Sequence, residues 1–221
     1  MSASPTVYYW PMLGRAGAPI LMMEYKKVKY EHKSEFKEIA EVCTAFGAKS
    51  DTFAPPVISW DGVTLSQSVP VALFVGEKLG LDKGYDKYKL MQYASDAADL
   101  ASGVFNNMKG SPEDIKKFIE ERMKKFGSNI EASIKGPFYF GEAPSSVDFF
   151  LYNALKITEI GLTGPIAAET KKDYLAGFNK IKGVLAGVEA LDGVKGFKKM
   201  SFLREGYTIT KELAASVAKL G

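Results

Sequence analysis

Three short stretches of this chain carry residue types that could handle an anion. Tyr8-Tyr9-Trp10 ends a β-branched, aromatic segment, and Gly14-Arg15-Ala16 follows four residues later. In a strand, successive side chains face opposite sides, so only one of Tyr8 and Tyr9 can meet a ligand at the sheet edge. A Tyr9 hydroxyl there could donate a hydrogen bond to a thiolate, or both tyrosines and Trp10 could simply be core and rim aromatics. Arg15 stands where a helix begins, and a guanidinium beside free helix N–H groups favours a carboxylate. An isolated arginine at such a place is more often a solvated surface residue. Gln67-Ser68 opens a later helix, where hydroxyl, amide and leading N–H groups make a second carboxylate cradle or a plain cap.

Other candidates carry less chemistry. Asp96 and Asp99 lie one helical turn apart and can share a face, which solvated helix surface also explains. His32 reads as a surface residue on a strand, since no serine or cysteine sits in a nucleophile elbow. Pro56 precedes a strand, a place where a proline marks a turn or a cis bond. The single cysteine, Cys43, excludes an internal disulfide and fits a reducing compartment. With one cysteine and one histidine, a zinc site is not expected. A Cys-x-x-Cys redox centre is absent from the sequence.

These residues need a scaffold, and the pattern supplies one. Residues 4–10 read as a strand, 16–28 as a buried helix with Pro19 in its first turn, 28–32 as a second strand and 35–46 as a helix. Residues 56–60 and 63–66 flank Asp61-Gly62 and read as a hairpin. A helix follows over 67–79, stopped by Gly80, and 80–87 reads as a linker. Beyond it the pattern is helical, over 86–109, 112–134, 146–161, 169–190 and 208–220. Ser145 and Asp148 form a capping box before the helix at 146.

At 221 residues the chain suits one large domain or two small ones. The balance of 29 basic and 26 acidic residues, with lysines scattered, argues against a nucleic-acid partner. The start lacks the basic and apolar regions of a leader, and no stretch has the length of a membrane span. A soluble cytoplasmic protein is therefore expected.

Taken in order, the strings Tyr9-Trp10-Pro11-Met12-Leu13-Gly14-Arg15-Ala16, Pro55-Pro56-Val57-Ile58-Ser59-Trp60-Asp61-Gly62 and Leu65-Ser66-Gln67-Ser68 resemble the cytosolic glutathione transferases of tyrosine type, nearest the sigma, pi and alpha classes. The resemblance implies an α/β thioredoxin-like N-terminal domain (βαβ-ββα) over residues 1–82 that binds glutathione. An all-α domain over 83–221 would carry the electrophile side of the site. It implies Tyr9 as the hydroxyl that stabilises the thiolate and Arg15 near the glutathione backbone or its glycyl carboxylate. Pro56 would be a cis-proline that turns the backbone of Pro55 toward the cysteinyl moiety, and Gln67 and Ser68 would hold the γ-glutamyl carboxylate. Asp99, with Asp96 as its competitor, would reach across a homodimer to the γ-glutamyl amine. The partners implied are glutathione as co-substrate and a hydrophobic electrophile, with no metal, in a detoxifying role. Tyr9, Met12–Leu13 and Phe105–Met108 would line the electrophile's pocket.

The chemistry suits the residues. A thiol of pKa about 8.5 is a few per cent ionised at neutral pH, and lowering it by about two units is worth roughly 2.7 kcal/mol. Several positions depart from the family pattern. Leu13 replaces an arginine, Gly17 an acid, and Ile20 another arginine. Pro55 has no N–H where glutathione normally finds one. The usual Trp and Lys before the cis-proline lack counterparts at matching spacing, Lys49 being a loose substitute. A glutathione-dependent isomerase or peroxidase, or a non-catalytic binding or structural relative, would share most of these features.

Overall fold

The computed structural model describes residues 4–220. Its only sheet among those residues has four strands in the order β2-β1-β3-β4: β1 (Thr6–Tyr8), β2 (Glu31–Lys33), β3 (Val57–Trp60) and β4 (Val63–Ser66). β1 pairs parallel with β2, Val7 opposite His32, and antiparallel with β3, Val7 opposite Ile58. A parallel pair needs a crossover, and α1 (Gly17–Tyr25) provides it. The Asp61-Gly62 hairpin forms as its sequence demands, with both residues at positive φ. α2 (Phe36–Val42) follows β2, and α3 (Ser68–Lys78) follows β4. This is the thioredoxin-like arrangement expected, with shorter strands than the sequence suggested.

All of α1 from Gly17 to Met23 is buried, because it lies against α3 and α7 (Ser146–Thr158). Pro19 does fall in its first turn, where a missing N–H costs nothing. α7 is the axis of the helical half. It packs on both α1 and α4 (Lys87–Asn107), and all its residues but Lys156 are buried. Its start is fastened by the capping box: Ser145 N–H and Oγ–H both donate to Asp148, each at 2.7 Å. Tyr139 N–H adds a third bond to the same carboxylate at 2.6 Å.

Two long helices differ from their expected outlines. The 112–134 segment is α5 (Pro112–Lys117) and α6 (Lys124–Ser133), joined by a wider π-type stretch, Phe118–Met123. The segment after 146 runs past α7 through a second π-type stretch, Glu159–Thr163, into α8 (Gly164–Thr170). Pro165 explains the second: it has no N–H for the carbonyl of Gly161, which instead accepts from Ile209 N–H at 3.1 Å. No helix bridges 170 to 178. Lys171 takes the left-handed conformation at φ 61°, and the next helix is α9 (Asn179–Glu189). α10 (Lys211–Lys219) closes the chain, capped by Thr210.

Candidate functional site

Tyr9 directly follows β1 and continues its pairing, its N–H donating to Lys33 O at 3.1 Å. Tyr8 and Tyr9 do face opposite ways. Tyr8 packs with the small cluster of Ile39, Cys43 and Val57, whereas Tyr9 enters the main core and is 4% exposed. The Tyr9 hydroxyl accepts the backbone N–H of Arg15 at 2.8 Å. Burial raises the Tyr9 pKa above its ordinary value, opposed by that N–H and by the Arg15 charge. An oxygen already accepting from Arg15 directs its own proton elsewhere, and accepting makes it a better donor.

The turn that delivers the Arg15 N–H is tightly specified. Gly14 has φ 41°, and a Cβ there would lie 2.6 Å from the Tyr9 hydroxyl, so glycine serves both the backbone and the close approach. Its neighbours come from far along the chain. Leu13 N–H donates to Ser201 O at 2.8 Å, Gly14 N–H to Phe202 O at 2.9 Å, and Asn153 Nδ2 to Gly14 O at 2.8 Å.

Three of the positions noted above as departures, Leu13, Gly17 and Ile20, lie in this packing. Leu13 and Ile20 are wholly buried apolar residues in the core. A Cβ on Gly17 would lie 1.9 Å from Asn153 Oδ1, so an acid at position 17 could not share this interface.

The Arg15 guanidinium lies over the Phe105 ring at 5.4 Å, and Tyr207 meets that ring edge-on at 6.3 Å. Arg204 in turn covers Tyr207, at 4.6 Å, and donates to its hydroxyl at 2.9 Å. Of the other residues expected beside Tyr9, Met12 and Leu13 are buried in the core. The Met108 methyl packs against Gly161.

The Pro55–Pro56 peptide is cis. Val57 pairs with Ser66, so the double proline enters β3 at the end of the hairpin where Gln67 and Ser68 leave β4. Gln67 is exposed and sits at φ 76°, a conformation a non-glycine residue rarely takes. Ser68 is the first residue of α3, whose free leading N–H groups are those of Ser68 and Val69, because Pro70 has none. Ser68 and Arg15 line one small gap of about 20 Å³ with Ala98, Ser102 and Asn153.

The two α4 acids separate. Asp96 accepts from Asn129 Nδ2 at 3.1 Å, and burial raises its pKa. Asp99 is exposed. Lys49 is exposed on the loop after α2.

Two residues near Tyr9 escaped the sequence reading. His32, read as a surface residue, is half-buried and its Nε2 donates to Tyr9 O at 3.0 Å; burial lowers its pKa, favouring the neutral ring. Asn153 is the other, and its signal was a lone amide inside the apolar run Phe149–Leu155. Cys43 is buried, its thiol pushed up by desolvation, a setting for an unreactive cysteine. Among the described residues no group of three or more His, Cys, Asp or Glu could hold a metal. No helix among them is long and apolar enough to cross a membrane.

The family model for the glutathione S-transferase C-terminal domain matches residues 98–218. The chain therefore belongs to the glutathione S-transferase family. Solved structures of the same fold include the Pi-class glutathione S-transferase of Onchocerca volvulus, at TM-score 0.70 and 14% identity over 87% of this chain and 91% of that one. Prostaglandin synthase D of Nilaparvata lugens aligns at 0.66 and 18% identity, over 87% and 96%. The rat hPGDS complexed with a quinoline aligns at 0.64 and 17% identity, over 86% and 93%. No curated protein sequence matches.

Proposed function

We propose that this protein is a glutathione transferase in which the Tyr9 hydroxyl donates a hydrogen bond to the glutathione sulfur and so favours the thiolate. The observation that carries this reading is the 2.8 Å bond from Arg15 N–H to the Tyr9 hydroxyl. It fixes the oxygen and leaves the phenolic hydrogen for an acceptor. The thiolate then attacks an electrophilic carbon, forming the C–S bond as the leaving group departs with the bonding pair.

In this reading residues 1–82 hold glutathione and 83–221 present the electrophile. Arg15 lies near the glycyl carboxylate or the peptide backbone, Gln67 and Ser68 hold the γ-glutamyl carboxylate, and Pro56 aims Pro55 at the cysteinyl unit. Proline at 55 removes one main-chain bond, which weakens glutathione binding by about 0.5–1.5 kcal/mol. The cation–aromatic series Arg15, Phe105, Tyr207, Arg204 forms the wall for the electrophile, in place of the Leu13 and Met108 side chains.

A homodimer completes the site through Asp99 of the second copy, reaching the γ-glutamyl amine. Exposure of Phe53 (61%), Tyr88 (68%) and Met91 (49%) supports an interface on the pre-β3 loop and on α4. Cytoplasmic residence and detoxification follow as part of the same proposal. The test is conjugation of glutathione to chlorodinitrobenzene by wild type and Tyr9→Phe, together with retention on immobilised glutathione. Retention without conjugation would favour the non-catalytic reading.

A further inference from the structure

The C=O of Gly14 and the N–H of Arg15 belong to one peptide unit. Its oxygen accepts from Asn153 Nδ2 at 2.8 Å, and its N–H donates to the Tyr9 hydroxyl at 2.8 Å. We propose that Asn153, on the helical half of the molecule, is the positioning residue for Tyr9, acting through this single peptide. The proposal rests on the reading that Tyr9 works on the glutathione thiol.

Four observations carry it. Asn153 is 4% exposed, so water does not compete for its bond to Gly14. The amide's orientation is set, because exchanging its oxygen and nitrogen would place acceptor against acceptor at Gly14 O. The second lone pair of Gly14 O is taken by the Gly17 N–H, so both faces of that carbonyl are held. Finally, Gly17 has no side chain where a Cβ would collide with the amide oxygen, so α1 is shaped to admit Asn153.

The physical effect is twofold. A hydrogen bond to the carbonyl polarises the peptide and strengthens its N–H as a donor. It also fixes the plane of a peptide whose glycine could otherwise turn. Asn153 lies seven residues into α7 from Ser146, and the start of that helix is fastened at Asp148 and Ser145. The helical half thereby sets where the Arg15 N–H meets the hydroxyl. A residue that merely joined the two halves would affect stability and leave Tyr9's acidity alone.

The test uses Asn153→Leu, which keeps the side chain's width without a donor, and Asn153→Ala, which cannot clash. The Tyr9 phenol is titrated by ultraviolet absorbance without glutathione, as the difference between each protein and its Tyr9→Phe counterpart. In whichever variant folds, the Tyr9 titration is expected to move up by about one pH unit. The pH–rate profile at saturating glutathione should move the same way. A folded variant whose Tyr9 titration is unchanged overturns the proposal. A titration that moves while Tyr9→Phe leaves conjugation intact upholds the positioning and removes the catalytic reading.

Discussion

The Asp82 carboxylate accepts the backbone N–H of Ser146 at 2.9 Å, joining the end of the sheet-bearing half to the first residue of α7. Gly76 makes room for the pair: a Cβ there would lie 2.3 Å from Asp82 Oδ2 and 2.6 Å from Ser146 Cβ. Asp82→Ala leaves that buried N–H unpaired and is expected to destabilise the protein by about 1–3 kcal/mol. Gly76→Ala should also destabilise, through overpacking. Thermal or urea unfolding checks both, and a wild-type midpoint in either would contradict the account of this junction.

Asp148 gives stability a pH signature. Burial pushes its pKa up to about 6 from 3.8, against the bonds donated by Ser145 and Tyr139. Because the folded value is raised, the group's contribution is fully present below about pH 4 and is lost as pH rises through about 6. Asp148→Asn should abolish this component, so the stability difference between mutant and wild type changes across that interval. Parallel stability curves from pH 4 to 7 would contradict it. Asp148→Ala, which strips three donors of their acceptor, is expected to cost several kcal/mol, on the order of 3.

Gly14→Ala attacks the Tyr9 contact from the backbone. It forces a side chain into positive φ and against the hydroxyl, so a stability loss of about 1–3 kcal/mol is expected. Conjugation should fall more than tenfold with glutathione saturating. Full activity would mean that the Arg15 N–H contact is dispensable.

Pro55→Ala restores a backbone N–H. If Pro55 faces the cysteinyl unit, glutathione affinity should rise about two- to tenfold by calorimetry. Unchanged affinity would take Pro55 out of the site.

Local rules made much of this fold legible. The Asp61-Gly62 hairpin, Pro19 in the first turn of α1 and the Ser145–Asp148 box each depend on residues within a few positions of one another, and each formed. What escaped depends on distant partners. The π-type turn before Pro165 is satisfied by Ile209, Asn153 meets Gly14, and His32 meets the Tyr9 carbonyl only because β2 lies beside β1. The break at Lys171 was missed because helix-forming residues run through 166–172 without a glycine to mark the stop. The structure brings Arg15 and Ser68 to one small gap although they are far apart in the sequence.

The most direct measurement is the pKa of the enzyme-bound glutathione thiol, read by thiolate absorbance in wild type and Tyr9→Phe. The account predicts that wild type lowers it by about two units from the free value near 8.5, and that Tyr9→Phe binds glutathione but returns the pKa most of the way. A mutant that binds glutathione and keeps the wild-type thiol pKa would contradict the assignment of Tyr9.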